Sequence, residues 1–167
     1  MSPPIRYLIG DATQPQGSGT KIIVHICNDI GGWGRGFVMA LSQRWKEPEN
    51  QYHARFRGDA EIPFALGEVQ FVRVTEDVVV ANLIGQHDIE RKQTSGASES
   101  VPPIRYEAVR TGLEKVATKA RELKASVHMP RIGCGLAGGT WDRIEAIIQQ
   151  ELSDREISVS VYDLPGK

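Results

Sequence analysis

Short runs of apolar, largely β-branched residues recur along the chain, each closed by a turn signal. Ile5-Arg-Tyr-Leu-Ile9 stops at Gly10-Asp11, and Lys21-Ile-Ile-Val-His-Ile-Cys27 stops at Asn28-Asp29. Runs of this length bounded by turn residues read as strands. Residues 69–74 and 78–84 flank a short polar gap, Thr75-Glu-Asp77, which predicts an antiparallel hairpin. Residues 126–129 and 157–162 are two further strands. Between them the apolar period lengthens. Phe37, Ala40, Leu41 and Trp45 share one helical face over 36–45. From Pro103, the positions Val109, Leu113, Val116, Ala117, Ala120 and Leu123 step by three and four, and Pro102-Pro103 suits a first helical turn. Trp141, Ile144, Ile147, Ile148 and Leu152 form another stripe, with Thr140 at the N-cap position. The alternation of the later helices with strands argues for α/β layering with parallel pairs. No repeat or composition shift divides the chain, so residues 1–167 read as one domain. Residues 60–66 and the polar, aperiodic stretch 90–100 read as loops, the second flexible.

Composition narrows the classes. With 40% hydrophobic and 25% charged residues, the chain is an ordinary globular one. A formal net charge of -1 supplies no overall basic field, which makes nucleic acid an unattractive partner. The apolar runs are far too short to span a membrane, and the first residues lack a signal-peptide pattern. Cys27 and Cys134 form no CxxC pair and read as reduced thiols of a cytoplasmic chain. His25, His53, His87 and His128 are scattered without metal spacing, so neither a metal nor any other cofactor is expected. His25 and His128 lie inside strands and read as core residues. His53 lies in a polar, helix-like stretch and reads as surface.

Two stretches hold unusual backbone freedom. "NDIGGWGRGF" (28–37) and "RIGCGLAGGTW" (131–141) each join a strand to a helix. A glycine-rich turn at the carboxyl end of a strand lets backbone N–H groups approach a phosphate, and the next helix adds its positive end. Either loop alone could be a simple tight turn; the pair favours a diphosphate gripped from two sides. Neither fits the P-loop or dinucleotide fingerprint, which argues against an ordinary NTPase or dehydrogenase. Asp11, ending the first strand, could accept from the exocyclic amine of adenine or merely cap a turn. Asn28 could serve sugar hydroxyls or sit in a left-handed turn. Cys134 is either a small residue fitting a tight loop or a thiol activated at a helix end, with no base visible beside it. Trp33 could stack on a ribose or cover the cleft, whereas Trp45 and Trp141 lie on apolar stripes and read as core.

Together, "GDAT", "IIVHICNDIGGWGRGF", "NLIGQ", "PPIRYEAV" and "MPRIGCGLAGGTW" resemble the macrodomain family, which binds ADP-ribose. The resemblance runs from about Tyr7 to Leu164. It is greatest for the branch holding terminal ADP-ribose protein glycohydrolase and ADP-ribose-1''-phosphate phosphatase, and within it for small bacterial macrodomains that remove ADP-ribose from glutamate. It implies a three-layer α/β/α domain with a mixed central sheet. By resemblance, Asp11 and Ala12 contact adenine and its neighbourhood, and Asn28 faces the distal ribose. Gly32, Trp33, Gly34, Arg35, Gly36 and Phe37 form the first loop. Pro130, Arg131 and Ile132 lead into the second, Gly133, Cys134, Gly135, Leu136, Ala137 and Gly138.

The departures from the family pattern are equally informative. A lysine and an aspartate that serve covalent chemistry in the human glycohydrolase of this branch correspond here to Gln86 and Ala137. Glutamine is no nucleophile and alanine moves no proton. Activity would then rest on a positioned water and electrostatic stabilisation, with Asn28, Arg35, Gln86 and His87 as the residues nearest the chemistry. The expected function is hydrolysis of mono-ADP-ribose from glutamate esters on proteins, by a monomer. ADP-ribose-1''-phosphate phosphatase, O-acyl-ADP-ribose deacylase and non-catalytic ADP-ribose reader are the alternatives.

Overall fold

The computed structural model describes residues 3–34, 36–58, 64–87, 103–134 and 137–166. Residues 60–63 of the first expected loop and all of 90–100 lie outside the described residues. In chain order the elements are β1 (Arg6–Ile9), β2 (Lys21–Asn28), α1 (Phe37–Arg44), α2 (Glu47–Phe56), β3 (Val69–Arg73), β4 (Val78–Gln86), α3 (Tyr106–Leu123), β5 (Ser126–Met129), α4 (Trp141–Glu151) and β6 (Val159–Asp163). A 3-10 turn, Ser153–Arg155, follows α4. The strands form one mixed sheet in the order β1-β6-β5-β2-β4-β3. Every neighbouring pair is parallel except β3–β4, the hairpin expected from the sequence, with Val69 opposite Leu83.

Successive side chains of a strand point to opposite faces, and both faces of β2 and β4 are buried. Ile22 and Val24 join a large core with Val109, Leu113, Val116, Ile144 and Ile148, which places α3 and α4 on one face. Ile23 packs with Leu41, and Cys27 packs with Tyr52, which places α1 and α2 on the other. The result is the three-layer α/β/α arrangement.

Several local details sharpen or correct the sequence reading. The polar, helix-like stretch around His53 is a full helix, α2, with Pro48 at its start and Glu47 and Glu49 in its first turn. It buries only Pro48, Tyr52 and Arg55, so its apolar stripe is too thin to stand out in the sequence. His53 on this helix is half-buried rather than a surface residue. Pro103 precedes α3 instead of opening it: the N-cap is Arg105, and Ile104 first bridges to Gln86. Thr140 does occupy the N-cap position of α4 in extended conformation, yet its side chain makes no capping bond.

The sheet face under α2 carries a polar rung. His25, Asn82 and Gln70 are register partners on β2, β4 and β3. His25 Nε2 lies 2.6 Å from Asn82 Oδ1. Asn82 Nδ2 donates to Gln70 Oε1 and to the Pro48 carbonyl, and Gln70 Nε2 donates to the Gln51 carbonyl. The rung therefore ties the sheet to α2. His25 is the expected core histidine, but its Nδ1 has no hydrogen-bond partner. His128 is also buried, between Ser126 Oγ and Tyr162 Oη.

Burial lowers His25 to about 4, and burial together with Lys21 and Arg6 lowers His128 to about 4. Both are depressed below their ordinary value of 6.5, so between these limits the unfolded chain binds protons that the folded chain does not. Stability is therefore lost as pH falls from 6.5 toward 4, by up to about 1.4 kcal/mol per pH unit for each histidine. Urea midpoints measured from pH 7 to pH 4.5 should fall steeply below pH 6.5, and His128→Asn should flatten the slope. A midpoint independent of pH over that range would contradict the neutral burial of both rings.

Candidate functional site

In a doubly wound sheet the ligand crevice opens where neighbouring strands send their following helices to opposite faces. Here those strands are β2 and β5. The chain leaves β2 for α1 on one face and leaves β5 for α4 on the other. The two glycine-rich stretches are the connections at that switch point.

Asn28, the last residue of β2, builds the first connection. Its Oδ1 accepts from the backbone N–H of Ile30 at 3.1 Å and of Gly32 at 3.0 Å, and its Nδ2 donates to the Gly32 carbonyl at 2.6 Å. Tyr52 of α2 closes the knot from below. Its Oη lies 2.7 Å from the Asn28 carbonyl and 2.8 Å from Oδ1. Burial pushes the Tyr52 phenol well above its ordinary range, so the hydroxyl stays a donor. Gly31 takes a positive φ of 79°, and a Cβ there would overlap the Phe56 ring. Trp33 is pinned inward: Nε1 donates to Ser42 Oγ at 2.7 Å, Ser42 donates to Glu49, and the ring packs against His25 and Tyr52.

These contacts define what two loop residues do in the fold. Asn28 is 7% exposed, and its side chain makes three hydrogen bonds to the loop, so it positions the turn. Trp33 is a half-buried anchor of the loop. Gly34 lies at the open tip with φ 69°, and Gly36 with φ 85° is the N-cap of α1. Phe37 begins α1 and packs inward beside His25. Neither a side-chain cap nor an acidic residue covers the N-terminus of α1. Its first N–H groups are therefore available to an anion. Arg35 lies outside the described residues.

The second connection starts at Pro130. Ile132 is buried at 3% exposure, and Gly133 turns with φ 75°. The Gly139 N–H donates to the Gly133 carbonyl at 2.8 Å, closing the loop on itself. A Cβ on Gly139 would run into that carbonyl oxygen, so only glycine fits. Ala137 is buried, and its carbonyl accepts from the Ile104 N–H at 3.0 Å. Gly138 is exposed with φ 78°. Cys134 is half-buried, and burial pushes its thiol up, which removes the activated-nucleophile reading. Both cysteines are free thiols. Gly135 and Leu136 lie outside the described residues. Arg131 is committed elsewhere: it pairs bidentately with Asp163 at 2.8 and 2.9 Å and stacks against Tyr7 and Trp141. Trp141 thus sits half-buried under a guanidinium rather than deep in the core.

Asp11 adopts the turn role, with Oδ1 accepting from both the N–H and the hydroxyl of Thr13 at 2.8 Å. Among the described residues no hydrogen bond engages its other oxygen, which lies next in sequence to buried Ala12. On the far side of β2, Gln86 ends β4 opposite Asn28. His87 follows it, exposed, with Nδ1 2.7 Å from Asp29 Oδ2. Sequence reasoning passed over Tyr52 and Asp29. Tyr52 lies in the polar helix that the periodicity hid, and Asp29 looked like part of a turn.

A cavity of about 540 Å³ lies elsewhere, lined by residues including Ser18, Thr20, Arg121, Lys124 and Arg155 at the amino ends of the strands. It adjoins the C-terminal end of α3, where the Lys124 and Ala125 N–H groups cap the Ala120 and Arg121 carbonyls, and it lies away from both glycine-rich connections. Among the described residues no cluster of three or more His, Cys, Asp or Glu could hold a metal, and no helix is long and apolar enough to cross a membrane.

This architecture, an α/β/α layer with two glycine loops at its switch point, defines a nucleotide-type ligand cleft. A macrodomain protein from Streptomyces coelicolor is 52% identical, with a TM-score of 0.81 over 96% of this chain and 99% of that one. The chain belongs to the macrodomain family. A protein of unknown function from Bacteroides thetaiotaomicron is 56% identical, with a TM-score of 0.89 over 96% of this chain and 98% of that one. The zebrafish (Danio rerio) chromodomain-helicase-DNA-binding protein 1-like is 36% identical over 95% of this chain. This chain spans only 15% of that relative and 18% of its mouse counterpart. Bovine (Bos taurus) ADP-ribose glycohydrolase OARD1 is 42% identical over 62 residues, 35% of this chain and 40% of that protein. The ADP-ribose 1''-phosphate phosphatase of Candida albicans is 22% identical over 87% of this chain and 92% of its own length. No family model matches the chain.

Asn28→Ala removes three hydrogen bonds from the first loop and should lower stability by about 1–3 kcal/mol. Hydrogen exchange should accelerate at the Ile30 and Gly32 amides in particular. Unchanged protection at both amides would contradict the positioning role.

Proposed function

We propose that this macrodomain binds ADP-ribose across its two glycine loops and hydrolyses mono-ADP-ribose from glutamate side chains of proteins. The observation that carries this reading is the pairing of the loops. One is knotted by Asn28 and leads to the uncapped N-terminus of α1; the other closes through Gly139 and Gly133; they leave neighbouring strands toward opposite faces. Such a pair offers backbone donors to a diphosphate from two sides. The free oxygen of Asp11 suits the adenine amine. The partial likeness to an ADP-ribose glycohydrolase supports hydrolysis.

Gln86 and Ala137 occupy the positions where the resembling glycohydrolase carries lysine and aspartate, so the reaction proceeds by direct attack of water rather than through a lysine adduct. The same two residues favour a second reading, an ADP-ribose reader without turnover. The likeness to a 1''-phosphate phosphatase keeps a different leaving group in play.

The deciding experiment incubates the protein with a substrate protein mono-ADP-ribosylated on glutamate and, separately, with ADP-ribose 1''-phosphate. ADP-ribose should be released from the modified protein in many turnovers, and phosphate release should be at least about tenfold less efficient. Tight ADP-ribose binding without release would establish the reader. Efficient phosphate release alone would establish the phosphatase.

A further inference from the structure

β2 and β4 run side by side in parallel, and their register is regular from Lys21 opposite Val78 to Cys27 opposite Ile84. It then shifts. Asn28 lies opposite Gln86, and Gly85 is the extra residue of a bulge. Bulges re-aim the residues that follow them. Had the register continued, Asp29 would stand level with Gln86. With the bulge it stands level with His87.

The two side chains meet there, with His87 Nδ1 2.7 Å from Asp29 Oδ2. Both are held from behind. Asp29 directly follows the Asn28 knot, and the His87 N–H donates to the Pro103 carbonyl at 2.8 Å. The Asp29 side chain is 17% exposed and the His87 side chain is 56% exposed. A carboxylate only accepts hydrogen bonds, so in the neutral ring Nδ1 carries the proton and Nε2 carries the lone pair. No described residue engages Nε2. The His87 ring is largely open to solvent, so the pair adds little to stability, and stability alone gives no reason for the bulge.

We propose that Asp29 and His87 are a carboxylate–imidazole pair serving as general base for hydrolysis at the distal ribose. The proposal rests on the hydrolase reading given above. A glutamate carboxylate is already a stable anion when it departs, so the leaving group needs no proton. The demand falls on the water. As the water oxygen bonds to the anomeric carbon, His87 Nε2 takes one of its protons. The bond from that carbon to the glutamate oxygen breaks, and its electron pair leaves with the carboxylate. The imidazolium then returns the proton to solvent. Asp29 fixes the tautomer and steadies the transient positive charge. The pair stands at the end of β4 opposite the Asn28 knot, where the ribose end of a ligand held by the first loop would lie.

The test uses the intact chain, a protein mono-ADP-ribosylated on glutamate, and free ADP-ribose. His87→Asn keeps a donor for Asp29 but cannot exchange the proton. Its kcat should fall by about 100-fold or more, the range of general-base catalysis, with KM and the ADP-ribose Kd changed less than about twofold. Asp29→Asn should lose about tenfold in kcat, a smaller deficit than that of His87→Asn. In His87→Gly, added imidazole should restore turnover, since the position is open to solvent. Thermal melting of each variant shows whether it folds. Wild-type kcat in His87→Asn, a Kd rising in step with the lost rate, or no imidazole rescue of folded His87→Gly would each overturn the pair's role. If the wild-type chain itself releases no ADP-ribose, the hydrolase reading fails and the pair falls with it. An active wild type with an equally active His87→Asn sinks the pair alone.

Discussion

At the end of the central strand one buried amide sets the shape of the ligand cleft. The Asn28 side chain accepts from two backbone N–H groups of the loop ahead of it and donates to a carbonyl, and the Tyr52 hydroxyl braces it from α2. The sharp path through Gly31 depends on this knot, as does the direction in which the chain enters α1. Tyr52 is in turn held by α2, which the His25–Asn82–Gln70 rung fastens to the sheet. A polar ladder that looks like a liability in a core is therefore part of how the loop is aimed.

The opposite wall is built differently. The second loop uses no side-chain knot: Gly139 reaches back to Gly133, and Ile104, just ahead of α3, takes the Ala137 carbonyl. Ile104 also bridges to Gln86 at the end of β4. The carboxyl ends of β4 and β5 are thus linked through one short segment. A cleft walled by backbone groups suits a diphosphate, whose charge is spread over many oxygens.

Much of the fold was legible because its strands are buried and β-branched and its larger helices carry wide apolar stripes. The six strands and the hairpin around Thr75–Asp77 follow from that pattern. Helix α2 was legible only as a polar, helix-like stretch, without its bounds or its buried face. It buries three residues, and two of its anchors are backbone carbonyls, of Pro48 and Gln51, which no side-chain pattern reports. The glycine loops announced themselves through residues that only a tight turn needs. The roles within them did not. Whether Asn28 faces a ligand or holds its own loop depends on Tyr52, 24 positions away in sequence. The meeting of Asp29 with His87 depends on a one-residue bulge. Contacts between residues distant in sequence, decided by register, are what a local reading cannot supply.

The central claim is that the two loops together hold one diphosphate ligand. Titration of isotopically labelled protein with ADP-ribose, followed through backbone amide resonances, tests it directly. The account predicts large shifts at Gly32, Phe37 and Val38 and, at the same ligand ratio, at Gly133 and Gly139, with little change around Lys124 and Arg155. Shifts confined to the amino-end cavity, or to one loop without the other, would contradict it.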